Sequence, residues 1–363
     1  MKLEDIARES RATHKGDKSG VPIVGLEHLV PQEIKFTGYD VDTENTFTKA
    51  FKKGQILFGR RRAYLKKAAI ADFDGICSGD ITVIEAIPGK VEPLLLPFII
   101  QNDKFFDYAV SRSAGGLSPR VKWEHLKDYE LDLPPIDEQR ILADKLWAAY
   151  RLKESYKKLL TATQEMVKSQ FIEMYKDLLV NGKIEDLVDR KIASVKKSYH
   201  DSDEIEYIDI SSIDNISNTI VETTKYEVSN APSRAQQCVK KGDILVSTVR
   251  PINRNIAVVT RGLQNLVAST GFCVLRPKEE YREYLLSIVK SDAYTEHMCD
   301  KASGGLYPAV NNGDVFSYGI HIPNKELAQK VSTIHHQADK SEFELRKSIE
   351  AIDQVITSLI NNK

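Results

Sequence analysis

The sequence KKGQILFGRRRAYLKKAAI, residues 52–70, returns in altered form as KKGDILVSTVRPINRNIAVV at residues 240–259. Four further matches keep the same order along the chain. They pair KLEDI (2–6) with KIEDL (183–187), Ser78 and Val83 with Ser269 and Val274, SAGGLSPRV (113–121) with ASGGLYPAV (302–310), and YELDLPP (129–135) with YGIHIPN (318–324). Ordered matches at a nearly constant offset indicate an internal duplication. The chain therefore holds two diverged copies of one unit.

Each copy mixes short strands with helices. β-Branched content or alternation of apolar side chains predicts strands at 21–26, 55–58, 68–71, 81–87 and 130–133. Residues 97–112 and 278–302 have helical composition, and the paired glycines at 115–116 and 304–305 indicate tight turns. The predicted fold class is α+β, with two homologous mixed α/β domains.

A long segment free of Pro and Gly follows each copy, and it predicts a helix ~60 Å long at 1.5 Å per residue. In the second segment, the residues of one face recur at alternating spacings of four and three, as in the seam of a coiled coil. The first segment keeps this spacing, but polar residues interrupt it. The two seams are Leu142, Leu146, Ala149, Lys153, Tyr156, Leu160, Thr163, Val167, Gln170 and Met174, and Leu327, Val331, Ile334, Ala338, Ser341, Leu345, Ser348, Ile352, Val355 and Leu359. We expect these helices to pack antiparallel, which approximates a two-fold axis inside one chain.

The predicted organisation has four parts. A first globular domain covers residues 1–136, a central helical arm 137–180, a second globular domain 181–324 and a C-terminal arm 325–363.

Composition favours a globular protein in a reducing compartment. Of 363 residues, 42% are hydrophobic and 28% charged, and no apolar run approaches the ~18 residues of a membrane helix. The N-terminus has no apolar signal region, and the four cysteines form no CxxC pair, so we expect a cytoplasmic protein without membrane contact. A net charge of −1 argues against indiscriminate coating of nucleic acid, but it permits a local basic face.

Sequence motifs of catalysis are missing. The chain has no GxxxxGK[ST], HExxH or GxSxG, and no Asn-Pro-Pro-aromatic or Asp-Pro-Pro-aromatic motif of base methylation. We predict no catalytic residue and no metal site. Glu33 and Lys35 have the ExK spacing of some nucleases, without a firm Asp partner. His335 and His336 are interpreted as positions on the second arm, with His336 solvated.

Positive charge gathers in the repeated strand and in the loop that follows it. Lys and Arg neutralise DNA phosphates, Arg binds guanine edges and Asn binds adenine edges, so we predict that this region contacts DNA. The alternative is a solvated charged surface. The candidates are Lys52, Lys53, Arg60, Arg61, Arg62, Lys66 and Lys67 in copy one, Lys240, Lys241, Arg250, Asn253, Arg254, Asn255 and Arg261 in copy two, and Arg120, Lys122, Tyr307 and Asn311 near the glycine turns.

The order of these motifs resembles the specificity subunit of type I restriction-modification systems. The shared features are a KG-[DQ]-I-L strand, a GGL turn, a strand ending in Pro and a long helix, which in copy one opens with Pro134-Pro135-Ile136-Asp137-Glu138-Gln139. Copy two departs from this opening, because Pro323-Asn324-Lys325-Glu326-Leu327 lacks the second Pro and the Gln. The resemblance covers the whole chain.

This resemblance implies two target-recognition domains, each reading half of a bipartite, asymmetric site in double-stranded DNA, with the arms as a spacer. It implies two modification subunits, which carry S-adenosylmethionine, and restriction subunits, which use ATP and Mg²⁺; this chain itself binds no cofactor. The arm residues expected to support docking are Leu142, Leu146, Tyr156, Leu160, Val167, Val331, Ile334, Leu345, Ile352 and Leu359. The alternatives are a scaffold or dimerisation protein, a nuclease at Glu33 and Lys35, and a specificity subunit serving methylation only or another phage-defence complex.

Overall fold

The computed structural model describes residues 1–36, 38–215, 217–260, 262 and 265–361, so that Arg261 lies outside the described residues. The chain divides into two compact units. The first comprises Met1–Lys158 with Leu345–Lys363, and the second comprises Leu159–Glu344. Each unit thus combines one globular domain with part of each long helix.

Two sheets form the first globular domain. One has the strand order β1-β7-β4-β5 and the other β2-β6-β3. Strand β4 lies antiparallel between β5 and β7, with Ile56 opposite both Ile70 and Ile84. The strands are β1 (Ala7–Glu9), β2 (Ile23–Val24), β3 (Lys49–Phe51), β4 (Ile56–Gly59), β5 (Ala68–Ile70), β6 (Gly75–Cys77) and β7 (Ile81–Ala86).

Among the described residues, three helices lie wholly in the first unit, namely α1 (Leu96–Ile100), α2 (Asp103–Ser111) and α3 (Trp123–Leu126). Two more lie there in part: the start of α4 (Ile136–Tyr175) and the end of the C-terminal helix α9 (Lys325–Asn361). The predicted helix over 97–112 is two helices, because Asn102 ends one and caps the next by accepting the Lys104 N–H at 2.8 Å. The predicted strand over 130–133 is wrong. That segment forms a single bridge, between Lys2 and Glu130, which is too short a ladder for a strand.

Apolar side chains from the sheet and the helices share one large core in this unit. Phe58 of β4 packs on Phe105 and Phe106 of α2, with ring centroids 5.6 Å apart in both pairs. The start of α4 adds Leu146 and Trp147, and the end of the C-terminal helix adds partly buried apolar residues. The beginning of one long helix and the end of the other therefore lie together on this domain.

The second globular domain repeats the same frame with additions. Strand β14 lies antiparallel between β15 and β17, with Ile244 opposite both Val258 and Leu275. A further sheet has the order β12-β9-β16-β13, and two short ladders join β10 to β11 and β8 to β18. The strands are β8 (Gly182–Lys183), β9 (Glu204–Ile208), β10 (Ile213–Asp214), β11 (Thr219–Ile220), β12 (Thr224–Glu227), β13 (Ala235–Cys238), β14 (Ile244–Ser247), β15 (Ile256–Val258), β16 (Leu266–Ser269), β17 (Phe272–Leu275) and β18 (Gly319–Ile320).

The second unit contains α5 (Val195–Ser198), α6 (Arg282–Lys290), α7 (Asp292–Lys301), α8 (Asn312–Phe316), the end of α4 and the first part of α9 (Lys325–Asn361). The predicted helix over 278–302 is again divided, because Ser291 caps α7 by accepting the Tyr294 N–H at 3.2 Å. The division falls at the position that matches Asn102. The shared strand register and this shared helix break confirm the duplication and the α+β fold class.

The two long helices begin close to their predicted starts and run antiparallel within each unit. In the first unit Lys153 pairs with Asp353 at 2.6 Å, and in the second Gln164 donates to Glu342 at 3.1 Å. Helix α4 ends at Tyr175, so the predicted arm to residue 180 is five residues too long. All predicted seam positions are buried or half-buried except Gln170, Ser341 and Val355.

None of the described helices is both long enough and apolar enough to cross a lipid bilayer.

Candidate nucleic-acid interface

The loop after the central strand has the same unusual backbone in both domains. In the first domain a short 3₁₀ helix, Ala63–Leu65, lies between Arg62 and Lys66, whose φ angles are 53° and 51°. In the second domain Pro251–Asn253 lies between Arg250 and Arg254, with φ angles of 49° and 51°. Left-handed backbone is uncommon and strained for residues other than glycine. Strain that recurs at matched cationic positions points to a functional loop.

The glycine turn lies beside this loop and is bonded to it. Residues Ala114 and Arg120 exchange two backbone hydrogen bonds of 2.9 Å, which close the turn. The Arg62 N–H then donates to the Pro119 carbonyl at 2.8 Å, and the Val121 N–H donates to the Arg60 carbonyl at 3.0 Å. We call residues 60–67 together with 113–121 the first loop surface.

The second domain builds its loop surface, residues 248–255 with 302–310, from matched bonds. Residues Ser303 and Ala309 exchange backbone hydrogen bonds of 3.0 and 2.9 Å, and the Arg250 N–H donates to the Pro308 carbonyl at 2.7 Å. Gly115 and Gly304 have φ angles of +117° and +107°, which an L side chain rarely adopts. The glycines therefore serve the turn, as the sequence predicted.

An ion pair anchors each loop at its second strained residue. Lys66 pairs with Asp103 at 2.5 Å, and Arg254 pairs with Asp292 at 2.7 Å. Each aspartate is the first residue of the helix behind the loop, α2 or α7. Lys168 also binds Asp292, and these two cations lower the pKa of that carboxyl. Lys66 and Arg254 thus hold the loop to its domain.

Charge differs between the two surfaces. In the first, Asp80 binds Arg120 at 2.7 Å and approaches Arg61 at 3.5 Å, so it neutralises part of the basic loop. The hydrogen bond from Arg120 is the largest cause of a lowered pKa at Asp80, and it raises the pKa of Arg120 in turn. The matched positions in the second domain are Val249, Ala309 and Gly271, which carry no charge.

Two exposed cations occupy equivalent places in the two domains. Arg62 and Arg250 are both exposed at the first strained position of their loops. The Arg250 guanidinium lies 4.5 Å from the ring centroid of Tyr307 and donates to the Leu306 carbonyl at 3.1 Å. Within the described part of the chain, no acidic partner is recorded for Arg62. Arg60 is half-buried, and its Nε is buried without a hydrogen-bond partner among described residues.

Four predicted lysines lie away from these surfaces. Lys52 and Lys53 precede β4, and Lys240 and Lys241 precede β14, whereas the loop surfaces follow those strands. A strand of four residues separates its ends by ~13 Å. These four lysines therefore lie at the other end of the strand from the loop surfaces, and any contact of theirs with DNA stays a prediction.

Several other predicted residues have structural duties. Lys67 donates to the Leu26 carbonyl at 2.8 Å, Asn255 donates to the Ile210 carbonyl at 3.1 Å, and Asn311 caps α8 by accepting the Asp314 N–H at 3.0 Å. Asn253 is exposed on its loop, and Lys122 is exposed just before α3.

Glu33 and Lys35 do not form a nuclease-like centre. Glu33 pairs with Lys157 of α4 and accepts a hydrogen bond from the Tyr150 hydroxyl at 3.4 Å. The Lys35 ammonium lies 5.9 Å from the Trp147 ring centroid. Both side chains therefore bind helix α4 to the first domain.

One group of possible metal ligands occurs among the described residues. Glu27, His28 and Asp40 bring ligand atoms within 4.8 Å of one another. The Gly25 N–H donates to Nδ1 of His28 at 2.9 Å, so only Nε2 of that ring faces the carboxylates. No sequence motif marks this group, because Asp40 is distant from Glu27 and His28 along the chain.

Comparison with known proteins relates the whole chain to one family. The profile of the type I restriction modification DNA specificity domain matches residues 2–162 and again residues 179–354. The two matches correspond to the two copies described above. The chain belongs to this family.

Two curated relatives are specificity subunits. The HindI specificity subunit of Haemophilus influenzae is 33% identical over 144 residues, which are 38% of this chain and 31% of the relative. The EcoDI specificity subunit of Escherichia coli is 28% identical over 149 residues, 39% of this chain and 33% of the relative. The matched stretches thus span about a third of the length of these relatives.

Solved structures share the fold of this specificity-family chain. The S subunit of the type I restriction-modification system from M. genitalium aligns with a TM-score of 0.56 and 12% identity, covering 99% of this chain and 94% of that one. A second solved structure, whose subject is complex assembly and conformational transition of the type I R-M system, aligns with a TM-score of 0.54 and 17% identity. The alignment covers 99% of this chain and 96% of that one.

Sequence reasoning missed three features of the loop surfaces. Asp80 gave no signal, because only the fold brings it to Arg120. Leu117 and Leu306 stand in the quoted GGL motifs, yet their exposure depends on the turn geometry. The match of SAGGLSPRV with ASGGLYPAV places a leucine at the same position of both turns, but it carries no information on exposure.

Proposed function

We propose that this chain is the DNA-specificity subunit of a type I restriction-modification complex. Each domain would use its loop surface to read one half of a bipartite, asymmetric site in double-stranded DNA. The observation that supports this most is the repeated backbone of the two loop surfaces combined with their different side chains. A common frame suits a common kind of ligand, and different side chains suit different base sequences.

Charge and side-chain chemistry favour DNA as the ligand. Arg62 and Arg250 extend from loops whose strained conformation is fixed by Lys66–Asp103 and Arg254–Asp292. A fixed, exposed guanidinium can bind a phosphate or form the bidentate contact with guanine. The first surface also has Arg61 and Arg120, which Asp80 orients. The residues at the matched positions of the second surface are uncharged. We therefore expect the two half-sites to differ.

The long helices offer a second surface, suited to partner subunits. The predicted docking residues lie on the buried seam, and Leu146 and Val331 are fully buried within the chain. On α4, Leu152, Leu159 and Met166 each precede a seam residue by one position. They are spaced by seven residues, and all three are exposed. The exposed small residues Ala148, Ser155, Ala162 and Ser169 complete a 4-3 pattern with them. We propose that this outer stripe, rather than the seam, receives helices of the modification subunits.

In the assembled complex, chemistry would belong to the partners. Two modification subunits would contribute S-adenosylmethionine and adenine methylation, and restriction subunits would contribute ATP- and Mg²⁺-dependent cleavage. This chain would be non-catalytic and would supply the choice of DNA sequence, in the cytoplasm where the chromosome is accessible.

Mapping of methylated bases tests the proposal. The chain is co-expressed with candidate modification subunits, and methylated sites are mapped across the genome. We expect a split motif that disappears when this chain is deleted. Replacing residues 248–255 and 302–310 with those of another family member should change one half of the motif. Methylation that is unchanged by deletion would refute the proposal.

A further inference from the structure

A leucine stands at the tip of each glycine turn. Leu117 is 97% exposed and Leu306 is 85% exposed. Leucine is among the residues most often buried, although a single exposed leucine is ordinary on a protein surface. Here a leucine is exposed at the same place in both domains, while the residues around it differ. Ser118 of the first turn corresponds to Tyr307 of the second, and Arg120 corresponds to Ala309.

The turns hold these leucines on a rigid support. Each five-residue turn is closed by two backbone hydrogen bonds and tied to the neighbouring loop by a third, from Arg62 to Pro119 or from Arg250 to Pro308. Pro119 and Pro308 restrict the backbone just after the tip. A protruding apolar side chain on a fixed turn loses little conformational freedom when a ligand receives it.

The surroundings identify the kind of ligand. Exposed Arg62 lies on the loop bonded to the first turn, and Arg250 contacts both Tyr307 and the Leu306 carbonyl in the second. Asp80, which pairs with Arg120 of the first turn, is also approached by Arg61. An apolar tip among cations fits duplex DNA, because the phosphates attract the arginines and the base stack accepts an apolar wedge.

We propose that Leu117 and Leu306 insert between adjacent base pairs, one in each half-site, and kink the duplex there. This inference rests on the proposed function, and it adds a positioning role that charge alone does not supply. Apolar wedges of this kind unstack a base step and bend DNA by ~20–90°. The sequence dependence of that deformation would contribute to specificity at bases that no side chain contacts.

Fluorescence energy transfer between the ends of a DNA duplex tests the wedge. The probe is a duplex of ~30 base pairs containing the mapped target, with a donor and an acceptor dye at its ends. The full chain is used in complex with its modification subunits. We expect energy transfer between the two dyes to rise when the wild-type complex binds. Leu117→Ala or Leu306→Ala should lose about half of this rise, and the double variant should lose most of it.

Two further variants separate the wedge from general effects. Leu117→Met keeps a long apolar side chain and should keep the bend. Leu179→Ala removes a leucine that is 84% exposed outside both turns, and it should behave as wild type. Affinity for the target should fall about tenfold in Leu117→Ala and in Leu306→Ala, and it should be kept in Leu117→Met.

Each outcome decides a different question. If the complex with both Leu117→Ala and Leu306→Ala still binds the target and shows the same energy transfer as wild type, the wedge is overturned. The proposed function is then left intact. Loss of assembly with the modification subunits would make the leucines protein contacts and would also overturn the wedge. Failure of the wild-type complex to prefer its target overturns the proposed function and the wedge together.

Discussion

Asp80 accepts two hydrogen bonds from the guanidinium of Arg120, from Nε at 2.7 Å and from Nη2 at 3.2 Å. Arg61 approaches the same carboxylate at 3.5 Å. These contacts join the turn before β7, the basic loop and the glycine turn of the first domain. Two cations of the first loop surface are thereby oriented before DNA arrives, which lowers the ordering cost of binding.

The first prediction concerns acid stability. Arg120 lowers the pKa of Asp80 from its ordinary 3.8. The carboxylate therefore stabilises the folded state above pH ~3.8, and this contribution is lost as the pH falls through the folded-state pKa. Asp80→Asn should lower the free energy of unfolding at pH 7, and its difference from wild type should shrink toward pH 2.5. Urea titrations across this range measure both quantities.

Asp107→Asn is the matched control for Asp80→Asn, because Asp107 is an exposed acid of the same domain. Its substitution should change stability little at either pH. A difference between Asp80→Asn and wild type that is constant from pH 7 to pH 2.5 would contradict the assigned ion pair.

The second prediction separates strain from charge at Arg250. Its left-handed backbone, with φ of 49°, favours glycine. Arg250→Gly should relieve ~1 kcal/mol of strain in the second domain, while it removes an exposed cation. We expect a higher unfolding midpoint together with weaker DNA binding, whose salt dependence falls by about one unit of slope. Thermal unfolding and fluorescence anisotropy at several salt concentrations measure the two effects.

Arg250→Ala is the control, because it removes the cation and keeps the strained backbone. It should weaken binding as Arg250→Gly does, without the gain in stability. Equal stability of the glycine and alanine variants would show that the backbone at residue 250 stores no strain.

Periodic features of the fold could be predicted from the sequence, whereas contacts between distant residues could not. The β4 and β14 strands, the glycine turns and the two long helices follow from local patterns and from the repeat. The link between Lys66 and Asp103 joins residues far apart in sequence, and no local pattern distinguishes Asp103 from other acids before a helix. The basic character of the loop was therefore visible, and the duties of its members were not.

The position of a cation relative to a strand also limited the prediction. Lys52 and Arg62 are ten positions apart and looked like one basic cluster, but β4 lies between them and carries them to opposite ends of the sheet. The seam of α4 was predicted well because its spacing is regular. At the start of α4 the buried face of the helix is broader than the seam, because Trp147 and Tyr150 also pack in the core of the first domain.

The third prediction concerns an ion pair in the interior of the second domain. Arg276 binds Asp243, which is 1% exposed, through Nε at 2.8 Å and Nη2 at 2.7 Å. Removing one partner of a buried pair leaves the other charge unpaired. Arg276→Met should therefore lower the free energy of unfolding of the second domain by about 3–5 kcal/mol. Chemical denaturation followed by fluorescence is the measurement.

The first domain supplies a matched rescue for this variant. At the positions equivalent to Asp243 and Arg276 it has Gln55 and Glu85, joined by a hydrogen bond of 2.6 Å. Glu85 also pairs with Arg8 at 2.6 Å, and the second domain has Asp189 at the position of Arg8. The triple variant Asp189→Arg, Asp243→Gln, Arg276→Glu should therefore recover a large part of the stability lost in Arg276→Met. If the triple variant is less stable than Arg276→Met, these positions are not interchangeable between the domains.

The fourth prediction concerns the spacing of the DNA target. Helices α4 and α9 pair along a seam with the 4-3 spacing of a coiled coil, so one added heptad in each helix, at facing positions, preserves the seam. Seven residues lengthen a helix by ~10 Å, which corresponds to about three base pairs of DNA. The methylated motif should keep both half-sites and gain those base pairs between them. Adding the heptad to α4 alone displaces the facing residues on one side of the insertion by seven positions, and this control should lose stability and methylation together. A changed half-site sequence in the two-helix variant would refute the role of the arms as spacer.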